Sequence, residues 1–469
     1  MKPLDVAILT DTHYYSKKNW VDGDPYAFPA AREQLYRRGS EEIIRYVFDS
    51  LCEEGQPEII LISGDLTNNG ENTSHEEMRE LLRSLKARGK RVYVTTATHD
   101  YRGEGVSYGF DKNNRKVDVP AFQREDLRAF YQEFGRSEAV SVHEATMSYA
   151  VDLTPEYRLL ALNDDKGYDH AGFTDECFDW IAAQIADAKE KGMYVFAMTH
   201  HPVLSPSPLY RLIASGDLLE NGEARAKQFA DLGVCCMLTG HSHIHNTSCI
   251  RSEKGNAFYD VSTSALVGFP PYYRRLRFEP DDGRIDVSTV CIDAVPGLDT
   301  DGLSLPEFTK KQFLGTVGDV LRSAEQDYET FIRLADGFSL REEKARKLRW
   351  IIRPAAKTVN HLTFGKIWRL SGSKRCGVTK REIALIKDKP VVPFVLDMAA
   401  NLYRGDAALD KRCVEYRVAC GFFRLCDTLS KPFSAKLRGA GIDSVSEMLL
   451  PLVHKDGLPD ANYVIRFEN

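Results

Sequence analysis

One stretch, Ile59–Asp65, constrains the fold more than any other part of this sequence. It begins with four consecutive aliphatic residues, which is typical of a strand that is buried on both faces, as in a parallel sheet. Ser63 and Gly64 end the strand, and Asp65 follows where the chain leaves the sheet. Because ligands of open α/β sheets bind beyond the carboxyl ends of the strands, we interpret Asp65 as a candidate metal ligand.

Four further predicted strands end in residues that bind metals or transfer protons. The first strand is followed by Asp11 and His13, whose side chains point the same way if the backbone is extended. The later strand ends carry His99 and Asp100, then His200, then His241 and His243. Five of the twelve histidines of the chain therefore stand at strand ends, which unrelated surface histidines would rarely do. Imidazole and carboxylate ligands together suit zinc, iron or manganese rather than calcium.

The order of the predicted elements indicates an α/β domain followed by a helical one. A helix with apolar residues Ile43, Val47 and Leu51 connects the first two strands, which gives a βαβ unit. Beyond about residue 305, helical periodicity replaces the alternation of strands and helices. Residues 306–469 carry 29 Lys and Arg against 20 Asp and Glu, although the whole chain has a net charge of -6. We predict a catalytic domain over residues 1–305 and a mostly helical domain of unknown role over residues 306–469.

Composition excludes several classes of protein. The chain has no run of about 18 apolar residues, so we expect no transmembrane span. No apolar leader follows Met1, and the ten cysteines are scattered without the spacing of a zinc cage. We therefore predict a cytoplasmic protein with reduced cysteines. The acidic net charge and the lack of interleaved aromatic and basic residues favour no nucleic-acid partner, and the sequence leaves the oligomeric state open.

The ordered motifs Asp-X-His, Gly-Asp, His-Asp, His-His-Pro and Gly-His-X-His, over roughly residues 1–295, resemble the calcineurin-like metallophosphoesterase superfamily. The His-His-Pro motif and the linker spacing are most similar to its branch of cyclic-nucleotide and glycerophosphodiester phosphodiesterases. The resemblance implies two packed mixed β-sheets flanked by helices, with a dinuclear metal centre at the carboxyl ends of the strands. It assigns one metal to Asp11, His13, Asp65 and His243, and the other to Asp65, His200 and His241.

One position departs from the pattern of the superfamily, which usually has Asn before the His-Asp pair. Here the residue is Thr98, whose hydroxyl is shorter than an amide and a poorer ligand. We predict a weaker second metal site, with Thr98 or a neighbour such as Asn68 completing it. Asp100 is interpreted as an acceptor for an imidazole N–H, which would fix the tautomer of that ring.

Weaker candidates for substrate binding lie beside the motifs or in a basic segment. Tyr14, Asn68 and Asn69 adjoin motif residues, and Arg274 and Arg275 follow two tyrosines; a solvated loop is the alternative for the arginines. Asp164 and Asp165 follow a strand, and we interpret them as structural.

The resemblance implies an enzyme that uses two divalent ions, manganese, iron or zinc, to hydrolyse small phosphate esters. A hydroxide held between the metals attacks phosphorus, and His99 donates a proton to the leaving oxygen. We expect a phosphodiesterase more than a monoesterase or nucleotidase. A metal-poor scaffold that binds proteins is the alternative from another class, although such scaffolds usually lose several ligands.

Overall fold

A computed structural model of the chain describes residues 1–20, 34–111, 113, 115–166, 170–336, 340–433, 435, 438 and 443–466. Its contacts divide the chain into two units. The first unit contains Met1–Leu204, Gly216–Lys310 and Pro459–Asn469, and the second contains Ser205–Ser215 and Lys311–Leu458.

The strands lie in the first unit. They are β1 (Leu4–Leu9), β2 (Ile59–Ser63), β3 (Arg91–Thr95), β4 (Val106–Phe110), β5 (Lys116–Pro120), β6 (Ser141–His143), β7 (Ser148–Thr154), β8 (Tyr157–Ala161), β9 (Tyr194–Met198), β10 (Cys236–Thr239), β11 (Asn246–Arg251), β12 (Ala257–Ser262), β13 (Tyr272–Glu279), β14 (Arg284–Cys291) and β15 (Tyr463–Arg466). Within the described residues, one sheet has six strands in the order β15-β14-β13-β1-β2-β3, and another has seven in the order β11-β12-β10-β9-β8-β7-β6. The strands β4 and β5 form a separate hairpin.

Both large sheets are mixed, and they pack against each other. The strands β1, β2 and β3 are parallel, whereas β13 is antiparallel to β1. In the other sheet β8, β9, β10 and β12 are parallel. Phe196 of β9 and Phe278 of β13 are fully buried with ring centroids 4.4 Å apart, which joins the two sheets through an apolar layer. The predicted fold of two packed mixed sheets is confirmed.

Helices cover the outer faces of these sheets. In the first unit they are α1 (Ser40–Leu51), α2 (Asn72–Ala87), α3 (Arg124–Phe130), α4 (Asp175–Glu190) and, after the short helix α5 (Pro208–Ile213) of the second unit, α6 (Gly222–Leu232). The predicted apolar stripe of α1 is buried in one core cluster with Ile60 and Ile62 of β2. Ile181 and Ile185 of α4 share another cluster with β9. The helices α1 and α4 therefore each bury one apolar stripe against a sheet.

The C-terminal region is mostly helical, as predicted. Its helices are α7 (Leu305–Gln326), α8 (Tyr328–Asp336), α9 (Glu342–Lys347), α10 (Arg349–His361), α11 (Phe364–Ser371), α12 (Ser373–Cys376), α13 (Lys380–Ala384), α14 (Val392–Arg404), α15 (Val414–Ser430) and α16 (Val445–Leu449). None of the described helices is long and apolar enough to cross a membrane. Strand β15 lies beyond residue 305, where we predicted the domain boundary, but it pairs with β14 in the first unit.

The pairing of the strands places their carboxyl ends at one edge. Leu9 of β1 pairs with Ile62 of β2, and Ser63 pairs with Thr95 of β3. Met198 of β9 likewise pairs with Leu238 of β10. Parallel neighbours in register end together, so the residues after them in the chain are brought to the same edge of each sheet.

Candidate metal centre

Two groups of side chains meet where these strands end. Asp11, His13 and His243 form the first group, and Asp65, His200 and His241 form the second. Within each group, one ligand atom from each residue lies within 4.8 Å of the others. Asp11 and His13 follow β1, and His243 follows β10, so the first group joins the two sheets. The second group joins them in the same way through β2, β9 and β10.

The two groups adjoin through the carboxylate of Asp65. Its Oδ2 lies 3.2 Å from Nε2 of His200 and 3.8 Å from Nε2 of His13. Oδ1 of Asp11 lies 3.3 Å from Nε2 of His243 and 4.0 Å from Nε2 of His200. Asp65 therefore reaches imidazoles of both groups, as the predicted bridging ligand must.

The backbone of these residues departs from local preference. Residues other than glycine rarely adopt positive φ, and such strain persists only where the surrounding structure enforces it. Five of the six residues have a φ angle in the left-handed region: Asp11 (50°), His13 (39°), Asp65 (50°), His241 (61°) and His243 (56°). Hydrogen bonds across the sheet ends hold this conformation, for example from the N–H of His13 to the carbonyl oxygen of Asp65 at 3.0 Å. Strain concentrated on these residues indicates a functional site.

Two glycines allow the groups to approach each other. A Cβ on Gly64 would lie 2.6 Å from Nδ1 of His200, and one on Gly240 would lie 2.0 Å from Oγ1 of Thr10 and 2.5 Å from Oδ2 of Asp11. Contacts this short are not tolerated by real Cβ atoms. Packing therefore requires the glycines of the Gly-Asp and Gly-His-Ser-His motifs, and the φ of 95° at Gly64 favours glycine there as well.

Three buried atoms of the groups lack ordinary partners. Oδ1 of Asp11, Nδ1 of His13 and Nε2 of His200 are buried without a hydrogen bond to any described residue. An unsatisfied buried polar group costs about 1–3 kcal/mol, and a bound cation would remove that cost. Nδ1 of His200 lies 2.7 Å from the carbonyl oxygen of Ser63, so this nitrogen donates to the backbone and Nε2 is the ring nitrogen left for a metal, which would displace its proton. The residues present therefore fit two divalent transition-metal ions.

The carboxylates create a strongly negative site. Burial is the largest single effect and would lower the pKa of His200, but the charge of Asp65, its hydrogen bond and the charges of Asp11 and Asp164 together raise this pKa to about 10. Burial instead lowers the pKa of His13 to about 4, against the opposing effect of Asp11. The site thus attracts positive charge at His200 and keeps His13 neutral, which is the form of imidazole that binds metals.

His99 lies beside the first group. Its ring centroid is 5.0 Å from that of His13, and its backbone N–H donates to Oδ1 of Asp65 at 3.0 Å. Its Nδ1 lies 2.6 Å from the carbonyl oxygen of Asn68, so Nδ1 donates and the other ring nitrogen, Nε2, can exchange a proton with a substrate. His99 therefore lies beside the candidate ligands, and its role as an acid stays a prediction.

Comparison with known proteins identifies the family. A sequence model of calcineurin-like phosphoesterases matches residues 4–245, about half of the chain, including every residue of the two groups. The chain belongs to the calcineurin-like phosphoesterase family. Family membership and the two candidate ligand groups together support metal-dependent hydrolysis of phosphate esters. No curated protein matches the chain.

Solved structures of similar proteins are distant from this phosphoesterase. A dimetal phosphatase from Danio rerio is 15% identical, with a TM-score of 0.43, over 61% of this chain and 95% of that one. A sulfate thiohydrolase from Thermus thermophilus is 12% identical, with a TM-score of 0.33, over 68% of this chain and 66% of that one. TM-scores below 0.5 are too low to support a conclusion, so the assignment depends on the family model.

Asp100 differs from its predicted role in this phosphoesterase. Its carboxylate accepts hydrogen bonds from the backbone N–H groups of Thr67 and Ala97, each at 2.9 Å, and not from an imidazole. The histidine that it contacts is His75, through the carbonyl oxygen of Asp100 at 2.8 Å. The carboxylate of Asp100 therefore fixes the loops after β2 and β3, and the imidazole N–H that Asp100 accepts goes to its backbone carbonyl oxygen.

The structure also contradicts three of the predicted substrate-binding residues. Tyr14 is fully buried, and its hydroxyl donates to Oε2 of Glu77 at 2.9 Å. Arg274 is fully buried as well, and its guanidinium donates to backbone carbonyl oxygens, including that of Ser262 at 2.9 Å. Arg275 contacts Gln56, which precedes β2 and so lies at the opposite end of that strand from the site.

Two further predicted residues lie next to the site. Thr98 begins the short 3₁₀ helix Thr98–Asp100 after β3, and metal binding by its hydroxyl stays a prediction. The side chain of Asn68 is buried and bonds to Glu71 and Arg37. The carbonyl oxygen of Asn68 is the group that contacts His99, and substrate binding by this residue stays a prediction.

His201 is a neighbour of the centre that sequence reasoning missed. Its ring centroid lies 4.0 Å from that of His241, and its Nδ1 lies 2.9 Å from Oδ1 of the buried Asp164. Oδ2 of Asp164 accepts hydrogen bonds from the N–H of His201 at 2.8 Å and from the hydroxyl of Thr199 at 2.7 Å. Asp164 therefore has a structural role, because it holds the ring of His201, which packs against the candidate ligand His241. His201 is the second histidine of the His-His-Pro motif, and this position in the motif could have identified it as a residue of the site.

Replacing Asp164 should destabilise the fold. We expect Asp164→Ala to lower the free energy of unfolding by about 3–5 kcal/mol, the usual cost of removing one partner of a buried charged contact. Urea denaturation followed by circular dichroism measures this change. Asp175→Ala is the matched control, because that side chain is 97% exposed and should lose less than about 1 kcal/mol. Equal stabilities of the two variants would contradict the role of Asp164.

Proposed function

We propose that this protein hydrolyses phosphodiesters with two divalent transition-metal ions. The observation that carries the proposal is the carboxylate of Asp65, whose Oδ2 lies within 4 Å of an imidazole nitrogen in each group. One negative charge shared between two ligand groups is the arrangement expected for a pair of adjacent cations. Asp11, His13, Asp65 and His243 would hold one ion, and Asp65, His200 and His241 the other.

The metals and the protein divide the chemistry between them. When bound, two divalent ions would act as Lewis acids on the phosphate and would lower the pKa of the attacking water. His99 supplies the proton for the leaving oxygen from Nε2, because its Nδ1 is engaged by the carbonyl oxygen of Asn68. Water adds its oxygen to phosphorus as the ester bond breaks, so each turnover consumes one water and releases one alcohol and one monoester. Ser63 and Asp65 orient His200 and His99 respectively.

Similarity of motifs supports diesters over monoesters. The His-His-Pro motif and the linker spacing are most similar to the branch with cyclic-nucleotide and glycerophosphodiester phosphodiesterases. We therefore propose a small phosphodiester as the substrate, rather than a nucleic acid or a membrane lipid, in a cytoplasmic protein. The other candidates are a monoesterase or nucleotidase and a metal-poor protein scaffold.

A pair of chromogenic esters tests the proposal. We expect the purified protein, loaded with manganese, to hydrolyse bis(4-nitrophenyl) phosphate with a higher kcat/KM than 4-nitrophenyl phosphate. Chelation should abolish both activities, and added manganese should restore them. A preference for the monoester would favour the monoesterase. Absence of hydrolysis with manganese, iron and zinc would favour the scaffold.

Thr98 stands where the superfamily usually has Asn, and this difference predicts that the two metal sites have unequal affinities. Because a hydroxyl is a weaker ligand than an amide, we expect the ion at His200 and His241 to be lost first under mild chelation. Thr98→Asn should tighten this site by roughly 10- to 100-fold, the effect typical of changes around a metal. Calorimetric titration of both proteins with manganese measures the two affinities. If the wild type bound both ions equally tightly and Thr98→Asn changed neither affinity, another group would compensate for the missing Asn ligand.

A further inference from the structure

A network of polar side chains extends from His99 away from the two ligand groups. Oδ1 of Asn69 lies 3.2 Å from Nδ1 of His99 and also accepts a hydrogen bond from Nη2 of Arg102. The guanidinium of Arg102 also donates to the carbonyl oxygen of Tyr101 at 3.2 Å. Asn69 is buried and Arg102 is half-buried. A positive charge therefore lies one side chain away from the proposed acid.

The same asparagine leads to a second arginine. Nδ2 of Asn69 donates to the hydroxyl of Tyr108 at 3.1 Å, and Nη1 of Arg37 donates to the same hydroxyl at 3.4 Å. Nη1 of Arg37 also donates to Oδ1 of Asn68 at 3.3 Å. The loop residues Asn68 and Asn69, which contact His99, thus also orient the guanidinium groups of Arg37 and Arg102.

Tyr108 offers a donor at the centre of this cluster. Its hydroxyl oxygen accepts from Asn69 and Arg37, and its own proton has no acceptor among the residues that the structure describes. Nζ of Lys116 lies 4.0 Å from the centroid of its ring, which adds a third positive charge. The half-buried Tyr108 therefore stands between cationic groups with a hydroxyl proton to donate.

We propose that Arg37, Arg102 and Tyr108 bind a second oxyanion of the substrate, carried by the ester group that lies against His99. The inference rests on the proposed function, and it narrows the substrate to a phosphodiester whose leaving alcohol bears a phosphate or a carboxylate. Planar guanidinium groups bind both kinds of oxyanion through paired hydrogen bonds. The network links this subsite to the proposed acid, so binding of the second anion positions the leaving oxygen at His99.

Esters that differ only in the remote group test the subsite. Four methyl aryl phosphodiesters are compared, with phenol, 3-carbamoylphenol, 3-carboxyphenol and 3-phosphonophenol as leaving groups. The carbamoyl ester is the neutral match for the carboxyl ester. We expect kcat/KM of the manganese-loaded enzyme to be roughly 10- to 100-fold higher for an anionic ester than for the carbamoyl ester, the usual gain from hydrogen bonds between charged groups. The carboxyl and phosphono esters show which oxyanion is preferred.

Variants assign this preference to the residues. Arg37→Gln and Arg102→Gln should each reduce the ratio of anionic to carbamoyl ester by about 10-fold, and Tyr108→Phe by a smaller factor. The ratio of kcat/KM for the anionic ester to that for the carbamoyl ester is measured, and not kcat/KM alone. Because Arg102 also contacts Asn69, its replacement could lower turnover of every ester even if Arg102 did not bind the anion, but only anion binding would change the ratio. Arg251→Gln is the matched control, since this exposed arginine bonds to the carbonyl oxygen of Gly255 in the β11–β12 hairpin. It should keep the wild-type ratio.

Failure of the inference and of the proposed function are distinguishable. Equal kcat/KM for the anionic and carbamoyl esters, or an unchanged ratio in both folded arginine variants, would overturn the subsite and leave the phosphodiesterase intact. No hydrolysis of any ester by the metal-loaded protein would overturn the proposed function and the subsite with it. Circular dichroism and thermal unfolding confirm that each variant is folded.

Discussion

Asp65→Asn should lower phosphodiester turnover by about 10³-fold or more, on the scale of the several kcal/mol that metal activation supplies. The substitution keeps the shape of the side chain, and the amide oxygen can still accept the hydrogen bond that the N–H of His99 donates to Oδ1 at 3.0 Å. It removes a negative charge that lies within 4 Å of imidazoles of both groups. The fold should therefore survive while both metal sites weaken.

Metal content separates this effect from a loss of folding. Elemental analysis should give less manganese per chain for Asp65→Asn than for the wild type, with an unchanged circular dichroism spectrum. The matched control is Asp49→Asn, because the Asp49 side chain is 71% exposed and pairs with Arg88 on the surface; its turnover should stay near wild type. A metal-replete Asp65→Asn protein with near-normal turnover would refute the shared carboxylate.

His99→Ala should lower turnover of esters with poor leaving groups by roughly 10²- to 10⁴-fold, the usual contribution of a positioned acid. Metal content should stay near wild type, because His99 contacts Asp65 only through its backbone N–H, which alanine keeps. The loss should be smaller for 4-nitrophenyl esters, because nitrophenolate needs little protonation to leave. The rates of methyl phenyl phosphate and bis(4-nitrophenyl) phosphate measure the difference.

His143→Ala is the matched control for this experiment. His143 lies on the edge strand β6, where its Nδ1 contacts the hydroxyl of Thr146. We expect its replacement to change neither rate. If His99→Ala lost the same factor for both leaving groups, His99 would act on charge or position and not as the acid.

Much of the centre could be predicted from the sequence because its residues come directly after strand ends. Buried parallel strands are short apolar runs, and the residues immediately after them in the chain must lie at one edge of the sheet. Asp65 and His200 come from strands of different sheets, yet each was located by the same local pattern. Local pattern also predicted the buried stripe of α1 and the helical C-terminal region.

The remaining features depend on contacts between distant parts of the chain. Tyr14 adjoins a motif, but its hydroxyl turns to Glu77 on α2. Arg274 is enclosed by backbone carbonyl oxygens that include that of Asp460, 186 residues away. The left-handed backbone of the candidate ligands is imposed by hydrogen bonds between strand ends. None of these contacts leaves a periodic signal, so sequence reasoning could not find them.

Asp164 and Asn69 show a second limit, because the sequence does not reveal the histidine that each side chain contacts. Each is a polar residue beside other polar residues, and this pattern does not specify a partner. Both are buried and hold a histidine of the site, Asp164 at His201 and Asn69 at His99. Burial of a polar residue is set by the elements packed over it, and these come from other parts of the chain.

A crystal structure of the manganese-loaded protein, with anomalous scattering measured for the metal, shows directly whether the two groups bind metal ions. We expect two anomalous peaks, one in contact with Asp11, His13 and His243 and the other with His200 and His241, with the carboxylate of Asp65 touching both. A single peak, or peaks in contact with other residues and with none of these six side chains, would contradict the proposed pair of metal sites.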